Sequence, residues 1–167
     1  MSRKIELTTT YSLPVEAVHR TLTDENFWLR RVEKGAEYGL TLDHLTAGEG
    51  TIDVGLAQSF DKDKMPSMIG KIIKGDLSIV RGEVWGPLAD GRADGSFTAV
   101  TTGMPVTVNG TAVLAESDGG CTVTVTGEVD VDIKLIGGTI EGMVAEQILG
   151  ILGRDQEVVE EWVAANA

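Results

Sequence analysis

The 167 residues carry 26 acidic and 14 basic side chains, a formal charge of −12 at neutral pH. Nucleic acids and anionic membrane surfaces are held by clustered Lys and Arg, so this balance argues against both as partners and reads most simply as solubility. A chain of this length with 42% hydrophobic residues buries a core that needs no disulfide or metal staple, and residues 1–167 are read as one domain.

Lys4 to Tyr11 alternates, with Ile5, Leu7, Thr9 and Tyr11 on one face, as a half-buried strand does. Ser12-Leu13-Pro14 stops it, and a Pro there starts a helix carrying Val15, Val18 and Leu22 at helical spacing. Asp24 is placed to cap a second short helix whose apolar face is Phe27, Trp28 and Val32.

From Ala36 to Lys134 the period becomes two. Tyr38, Leu40 and Leu42 share a face, which His44 continues, and so do Ile52, Val54, Leu56, Gln58 and Phe60. Met65 to Ile73 reads as a short helix or an irregular apolar loop. Leu77 to Trp85 and Arg92 to Thr102 are strands around turns at Gly86-Pro87 and Asp90-Gly91. Val106 to Glu116 and Thr122 to Ile133 form a hairpin over Ser117-Asp118-Gly119-Gly120, with Val123, Val125, Val129 and Val131 inward. The acids Glu128, Asp130 and Asp132 fall on its solvated face.

Gly137-Gly138 ends the strands. Thr139 to about Asn166 is one long helix, its apolar stripe running through Ile140, Val144, Ile148, Ile151, Val158 or Val159, and Trp162, with Glu141, Arg154 and Glu157 on the other side. Gly142, Gly150 and Gly153 argue against a surface coiled coil, because Gly weakens a helix interior, and are expected to leave room for a strand or a ligand. The fold class is therefore α+β: a strand, two short helices, about six antiparallel strands, and a long C-terminal helix packed in the concave face of the sheet.

Three stretches carry a family resemblance: Tyr11-Ser12-Leu13-Pro14-Val15-Glu16-Ala17-Val18, Trp85 closing a middle strand, and Ile136-Gly137-Gly138-Thr139-Ile140-Glu141 opening the last helix. With the element order, they resemble the helix-grip (SRPBCC) superfamily of START lipid-transfer domains, the birch-pollen-allergen group and polyketide cyclases. Within it the chain is similar to an uncharacterised bacterial branch, the domain-of-unknown-function family 2505. The resemblance implies a chamber between sheet and helix that holds a small hydrophobic molecule, such as a lipid or polyketide-like compound. It transfers no catalytic residue.

Small residues at Ala99, Gly110, Ala112 and Gly127, and at Ala57 if the register shifts, are consistent with such a chamber, since interiors otherwise pack densely. The expected lining is Tyr38, Leu42, His44, Leu56, Gln58 and Phe60 from the early strands. Arg81, Glu83, Trp85 and Phe97 would come from the middle of the sheet, and Val144 and Ile148 from the long helix. Parity leaves one alternative open: either Arg81 and Glu83 face inward, where Arg81 could hold a ligand carboxylate in a bidentate grip, or Val80 and Val84 do.

His44 is the best general-base candidate because imidazole titrates near neutrality, with a hydrogen-bonded boundary histidine as the plainer account; His19 is read as a surface or boundary residue. Cys121, the single cysteine, excludes an intrachain disulfide and a Cys-based zinc site, and its place in a strand suits a packed thiol. No metal motif, nucleophile elbow or phosphate-cradling loop occurs, so no metal and no cofactor are expected. The polar N-terminus and the lack of a membrane-length apolar run lead to the expectation of a cytoplasmic protein without integral membrane association.

Three functions follow in order: a binder or carrier of a small hydrophobic ligand; a cyclase- or dehydratase-like enzyme using the same cavity; and an interaction module without ligand. Two polar groups converging on one apolar space favour the enzyme, and an all-apolar lining favours binding. An exposed apolar patch around Met65 to Ile73 favours the module, although that segment equally suits a lid.

Overall fold

The computed structural model describes residues 2–64, 67–71 and 73–166. Strand β1 (Ser2–Tyr11) leads into helices α1 (Val15–Leu22) and α2 (Glu25–Gly35). Pro14 caps α1 with its carbonyl, which accepts from the Ala17 and Val18 amides, and the Asp24 carboxylate caps α2 by accepting from the Asn26 amide at 2.8 Å. Strands β2 (Leu40–Gly48), β3 (Thr51–Phe60), β4 (Leu77–Trp85), β5 (Arg92–Thr102), β6 (Val106–Ser117) and β7 (Gly120–Val131) follow, with the one-turn helix α3 (Ser67–Gly70) between β3 and β4. Helix α4 (Gly137–Ala165) closes the chain and, at 29 residues, is about 43 Å long.

All neighbouring strands pair antiparallel in the order β1-β7-β6-β5-β4-β3-β2. The architecture is the helix-grip α+β fold expected from the element order. β1 reaches the far side of the sheet because its ten residues pair along β7, from Ser2 opposite Asp130 to Tyr11 opposite Cys121. The β4–β5 turn uses Asp90 and Gly91, both at positive φ, the Asp-Gly pattern of a two-residue hairpin.

Helix α4 lies against β1, β7 and α1, and Gln156 ties it to β1 by donating to the Thr10 carbonyl at 2.9 Å. Two apolar clusters result. One joins α1 and α2 to β3, β4 and Val159 of α4; the other gathers Ile5, Val108, Val129, Ile140 and Ala145. Phe97 of β5 packs against both. The three stretches that carried the resemblance supply core residues: Tyr11, Val15, Val18, Trp85 and Ile140 are all buried.

Two expectations for α4 are corrected. Glu141, expected on the solvent side, is 3% exposed, and its carboxylate accepts from the Val131 amide at 3.4 Å. Val131 pairs with Val106 of β6 but lies past the last β1–β7 pair, Ser2 with Asp130, so a buried acceptor there satisfies a donor that burial would otherwise strand. The α4 glycines do not open the interior either. Gly150 and Gly153 are exposed, and Gly142 faces the Arg3 side chain on β1.

Candidate functional site

The strand register fixes which side chains face α4. Trp85 of β4 is buried and pairs with Ile52 of β3, so every second residue back along β4, namely Glu83, Arg81 and Ile79, shares its inward face. Val84, on the other face, is 41% exposed. The open choice on β4 is thereby decided: Arg81 and Glu83 point inward. Across the sheet, Val54, Glu83, Phe97, Gly110, Gly127 and Ile5 form one row of partners, and Leu56, Arg81, Ala99, Val108 and Val129 form the next.

Between these rows and α4 lies a cavity of about 110 Å³. Val54, Leu56, Phe97, Ala99, Val108 and Ala112 wall it from the sheet, Ile148, Ile151, Leu152, Asp155 and Val159 from α4, and Trp28 and Arg31 from α2. Its room comes from Ala99 and Ala112. Gly110 and Gly127 serve a different purpose: a β-carbon on either would lie 2.5 Å or 2.8 Å from Phe97 Cζ. The two glycines accommodate the Phe97 ring, which becomes part of the wall. Ala57 pairs with Val80 on the outer face and takes no part.

Four charged side chains enter this mostly apolar space. Arg31 and Asp155 pair, with Nη2 donating to Oδ1 at 2.7 Å, and the same guanidinium stacks on Trp28 at 5.2 Å and on Phe27 at 5.7 Å. Glu83 accepts from the Trp85 indole N–H at 2.6 Å. Burial, then the Asp155 charge, pushes the Glu83 carboxyl above its ordinary value of 4.5; the Trp85 hydrogen bond, Arg31 and Arg81 only partly oppose this. Glu83 is surrounded by protein atoms, and the surface it keeps is cavity surface. Arg81 is destabilised by burial first and then by Arg31, yet a guanidinium keeps its proton. Among the described residues no acceptor hydrogen-bonds Arg81 and no carboxylate lies within 4 Å of it, while its nitrogens keep surface on the cavity. The Tyr11 phenol, held neutral by burial and by Asp155, adds a further polar group, and Thr9, Ser96 and Thr98 also border the space.

Of the residues expected from sequence, Leu56, Arg81, Glu83, Trp85, Phe97 and Ile148 line the cavity. Tyr38, Leu42, His44, Gln58, Phe60 and Val144 do not. Tyr38 sits in a 3₁₀ turn and is 69% exposed; Gln58 donates to its carbonyl at 3.3 Å. Leu42 lies on the edge strand, 39% exposed. Phe60 pairs with Leu77 at the far end of β3, and Val144 packs in the second cluster.

His44 is corrected for a definite reason. A β-bulge after Leu42 sets two residues of β2 against Gly55, so the inward position passes from Leu42 to Leu45 and His44 is thrown outward. Its ring lies over Gly55, where a β-carbon would collide with it, and its nitrogens sit 2.8 Å from Asp43 and Asp53. Those two hydrogen bonds raise its pKa from the ordinary 6.5. His19, expected near the surface, is buried, and its Nε2–H donates to the Gly86 carbonyl at 2.9 Å. Cys121 is fully buried; desolvation and Glu16 push its thiol to about 11, the state of a packed thiol and not of a nucleophile.

Sequence reasoning missed Arg31, Asp155, Tyr11 and Trp28 as wall residues. A signal for two of them exists. Arg31 is three residues after Trp28, and Asp155 continues the Ile148, Ile151 stripe toward Val159 in helical steps. Both are polar residues on apolar faces.

A family model described as "Protein of unknown function (DUF2505)" matches residues 6–163. Uncharacterized proteins of Mycobacterium bovis and Mycobacterium tuberculosis are 30% identical over 173 residues, covering 99% of this chain and 99% of each relative. Among solved structures, TTHA0849 from Thermus thermophilus superposes with a TM-score of 0.60 at 16% identity, covering 99% of both chains. Ara h 8.0201 gives 0.55 at 13% identity, again over 99% of both. Norcoclaurine synthase from Thalictrum flavum, in complex with dopamine and hydroxybenzaldehyde, gives 0.55 at 11% identity, covering 100% of this chain and 89% of that one. Identities this low speak to the fold alone.

Proposed function

The chain belongs to the DUF2505 family and has the helix-grip fold, and on that premise we propose that it binds a small hydrophobic molecule in the cavity between the sheet and α4. The observation that carries this reading is the cavity itself: about 110 Å³ of space walled by Val54, Leu56, Phe97, Ile148 and Val159 inside an otherwise packed interior. An engineered apolar cavity of about 150 Å³ accepts benzene, so the space suits a ligand of single-ring size better than a long-chain lipid. The complex of norcoclaurine synthase with dopamine and hydroxybenzaldehyde, both one-ring molecules, supports the size class by analogy of fold. On this reading residues 1–167 act as one binding unit, and the lone buried Cys121 suits a cytoplasmic protein. No helix among the described residues is long and apolar enough to cross a membrane.

Apolar burial of one ring contributes about 1.5–3 kcal/mol, whereas millimolar affinity corresponds to about 4.1 kcal/mol. A ring alone therefore binds weakly, and tighter binding draws on the polar groups of the wall. Their convergence also favours a second reading, an enzyme of the cyclase or dehydratase kind in the same cavity. Glu83, whose carboxyl burial pushes above its ordinary value, would act as the acid, and Arg81 would hold a developing oxyanion. His44 has no part in it. The third reading, an interaction module, depended on Met65 to Ile73; Met65, Pro66 and Ile72 lie outside the described residues, and Ile73 is buried.

Native mass spectrometry of freshly purified protein, followed by solvent extraction, tests the reading. A defined small molecule released on denaturation is the expected result. A protein that is consistently empty, and whose cavity amides do not respond to any single-ring compound, would falsify it.

A further inference from the structure

We propose that the ligand of this cavity is a small carboxylic acid, its carboxylate gripped by the Arg81 guanidinium and its apolar body lying against Phe97, Val54 and Ile148. The proposal rests on the binding reading above and narrows it to a chemical class.

Among the described residues, one guanidinium of the cavity wall has donors that no protein acceptor uses. Of the two guanidinium groups there, Arg31 is committed: it donates to Asp155 at 2.7 Å and stacks on Trp28. Arg81 is not committed. Among the described residues it makes no hydrogen bond and has no carboxylate within 4 Å, and its nitrogens are not sealed in protein but keep surface on the same cavity. Burial disfavours this guanidinium, its donors remain open to the cavity, and its planar fork matches a carboxylate in two parallel hydrogen bonds.

The other groups facing Arg81 do not replace that anion. Asp155 is already held by Arg31. Tyr11 stays neutral. Glu83, two residues along the same strand, is driven by burial toward its protonated form while it accepts from the Trp85 indole. Arg81 is therefore the one guanidinium of the wall that, among the described residues, has no acceptor, and it stands beside an apolar floor, which is a poor place for an amine and a good one for a compact acid.

The test uses the full chain with two matched sets of probes: benzoate, benzamide and benzylamine, and hexanoate with hexanamide. Binding is followed by calorimetry and by amide shifts at Phe97, Ala99 and Ile148. The expected result is that each carboxylate binds at least ten-fold tighter than its amide or amine counterpart. Arg81→Gln should erase that preference while still binding the amides, which shows that the variant is folded; Arg81→Lys should restore part of it. Amides or benzylamine binding as tightly as the acids, or a preference that survives Arg81→Gln, would overturn the inference and leave the binding reading standing. No shift at the cavity amides with any probe would overturn both.

Discussion

The Arg31 guanidinium and the Asp155 carboxylate meet at 2.7 Å between α2 and α4, with 17% and 24% of their side chains exposed. This pair joins the two helices that roof the cavity, and Asp155 is the acid that keeps Arg31 from facing Arg81 as a second uncompensated cation. Asp155→Asn should therefore cost more than an ordinary surface pair. Breaking a fully buried pair costs about 3–5 kcal/mol; with this much exposure, a loss of about 1–3 kcal/mol is expected. Urea denaturation with an unchanged m-value measures it. Adding Arg31→Met to Asp155→Asn should recover part of the loss, because the stranded charge is gone.

Arg81 is the opposite case, a charge held in the cavity without a partner among the described residues. Arg81→Met should raise the stability of the ligand-free protein by about 1 kcal/mol or more. A thermal melt of the empty protein checks the direction. A clear fall in melting temperature would mean that Arg81 has a stabilising role that its surroundings do not show.

Glu83 gives stability a pH signature. Its pKa in the folded protein is raised above the ordinary 4.5. Below that value the group is neutral in both states. As pH rises past 4.5 the unfolded chain releases the proton while the folded protein retains it. Unfolding is then favoured progressively, by up to about 1.4 kcal/mol per pH unit, until pH passes the raised folded value. Glu83→Gln keeps an acceptor for the Trp85 indole and removes the titration. Its stability relative to the parent should increase with pH across that window, as read by denaturation midpoints at a series of pH values.

His44 titrates in the other sense although it, too, has a raised pKa. Its contribution to stability is full below 6.5 and is lost as pH rises through its folded value, since the imidazolium is the form that donates to both Asp43 and Asp53. Proton NMR of the His44 ring should give a pKa above 6.5, and Asp53→Asn should lower it. His44 lies outside the cavity wall, so neither change should alter ligand binding.

These residues also show where the sequence was readable. Alternation along β7 is clean, because its valines face the core and its acids face water, and the hairpin and the long helix followed from such patterns. On β4 the pattern is silent: Ile79 and Trp85 stand on one face and Val80 and Val84 on the other, so apolar character alone cannot orient Arg81. On β2 it misleads, because a one-residue bulge reverses the faces beyond Leu42 and carries His44 outward. The glycines were legible as small but not as to purpose. Those of α4 face solvent or Arg3, while Gly110 and Gly127 sit under an aromatic ring that only the register reveals.

That last arrangement sets the size of the cavity and can be moved by one methyl group. Gly110 lies beside Phe97 and Gly127 in a single cross-sheet row, and an added β-carbon would come to 2.5 Å from Phe97 Cζ while also meeting the Thr126 carbonyl. The backbone carbonyl is part of the β6–β7 ladder and yields little, so the ring must move, and the open side is the cavity. Gly110→Ala should therefore destabilise the fold by about 1–3 kcal/mol through overpacking. It should also push Phe97 into the ligand space and weaken binding of single-ring compounds more than that of smaller ones. Phe97→Leu in the Gly110→Ala background shortens the colliding side chain and should restore much of both losses. A double-mutant cycle in urea, repeated with benzoate titrations, measures the coupling; purely additive effects would mean that Phe97 does not rest on Gly110.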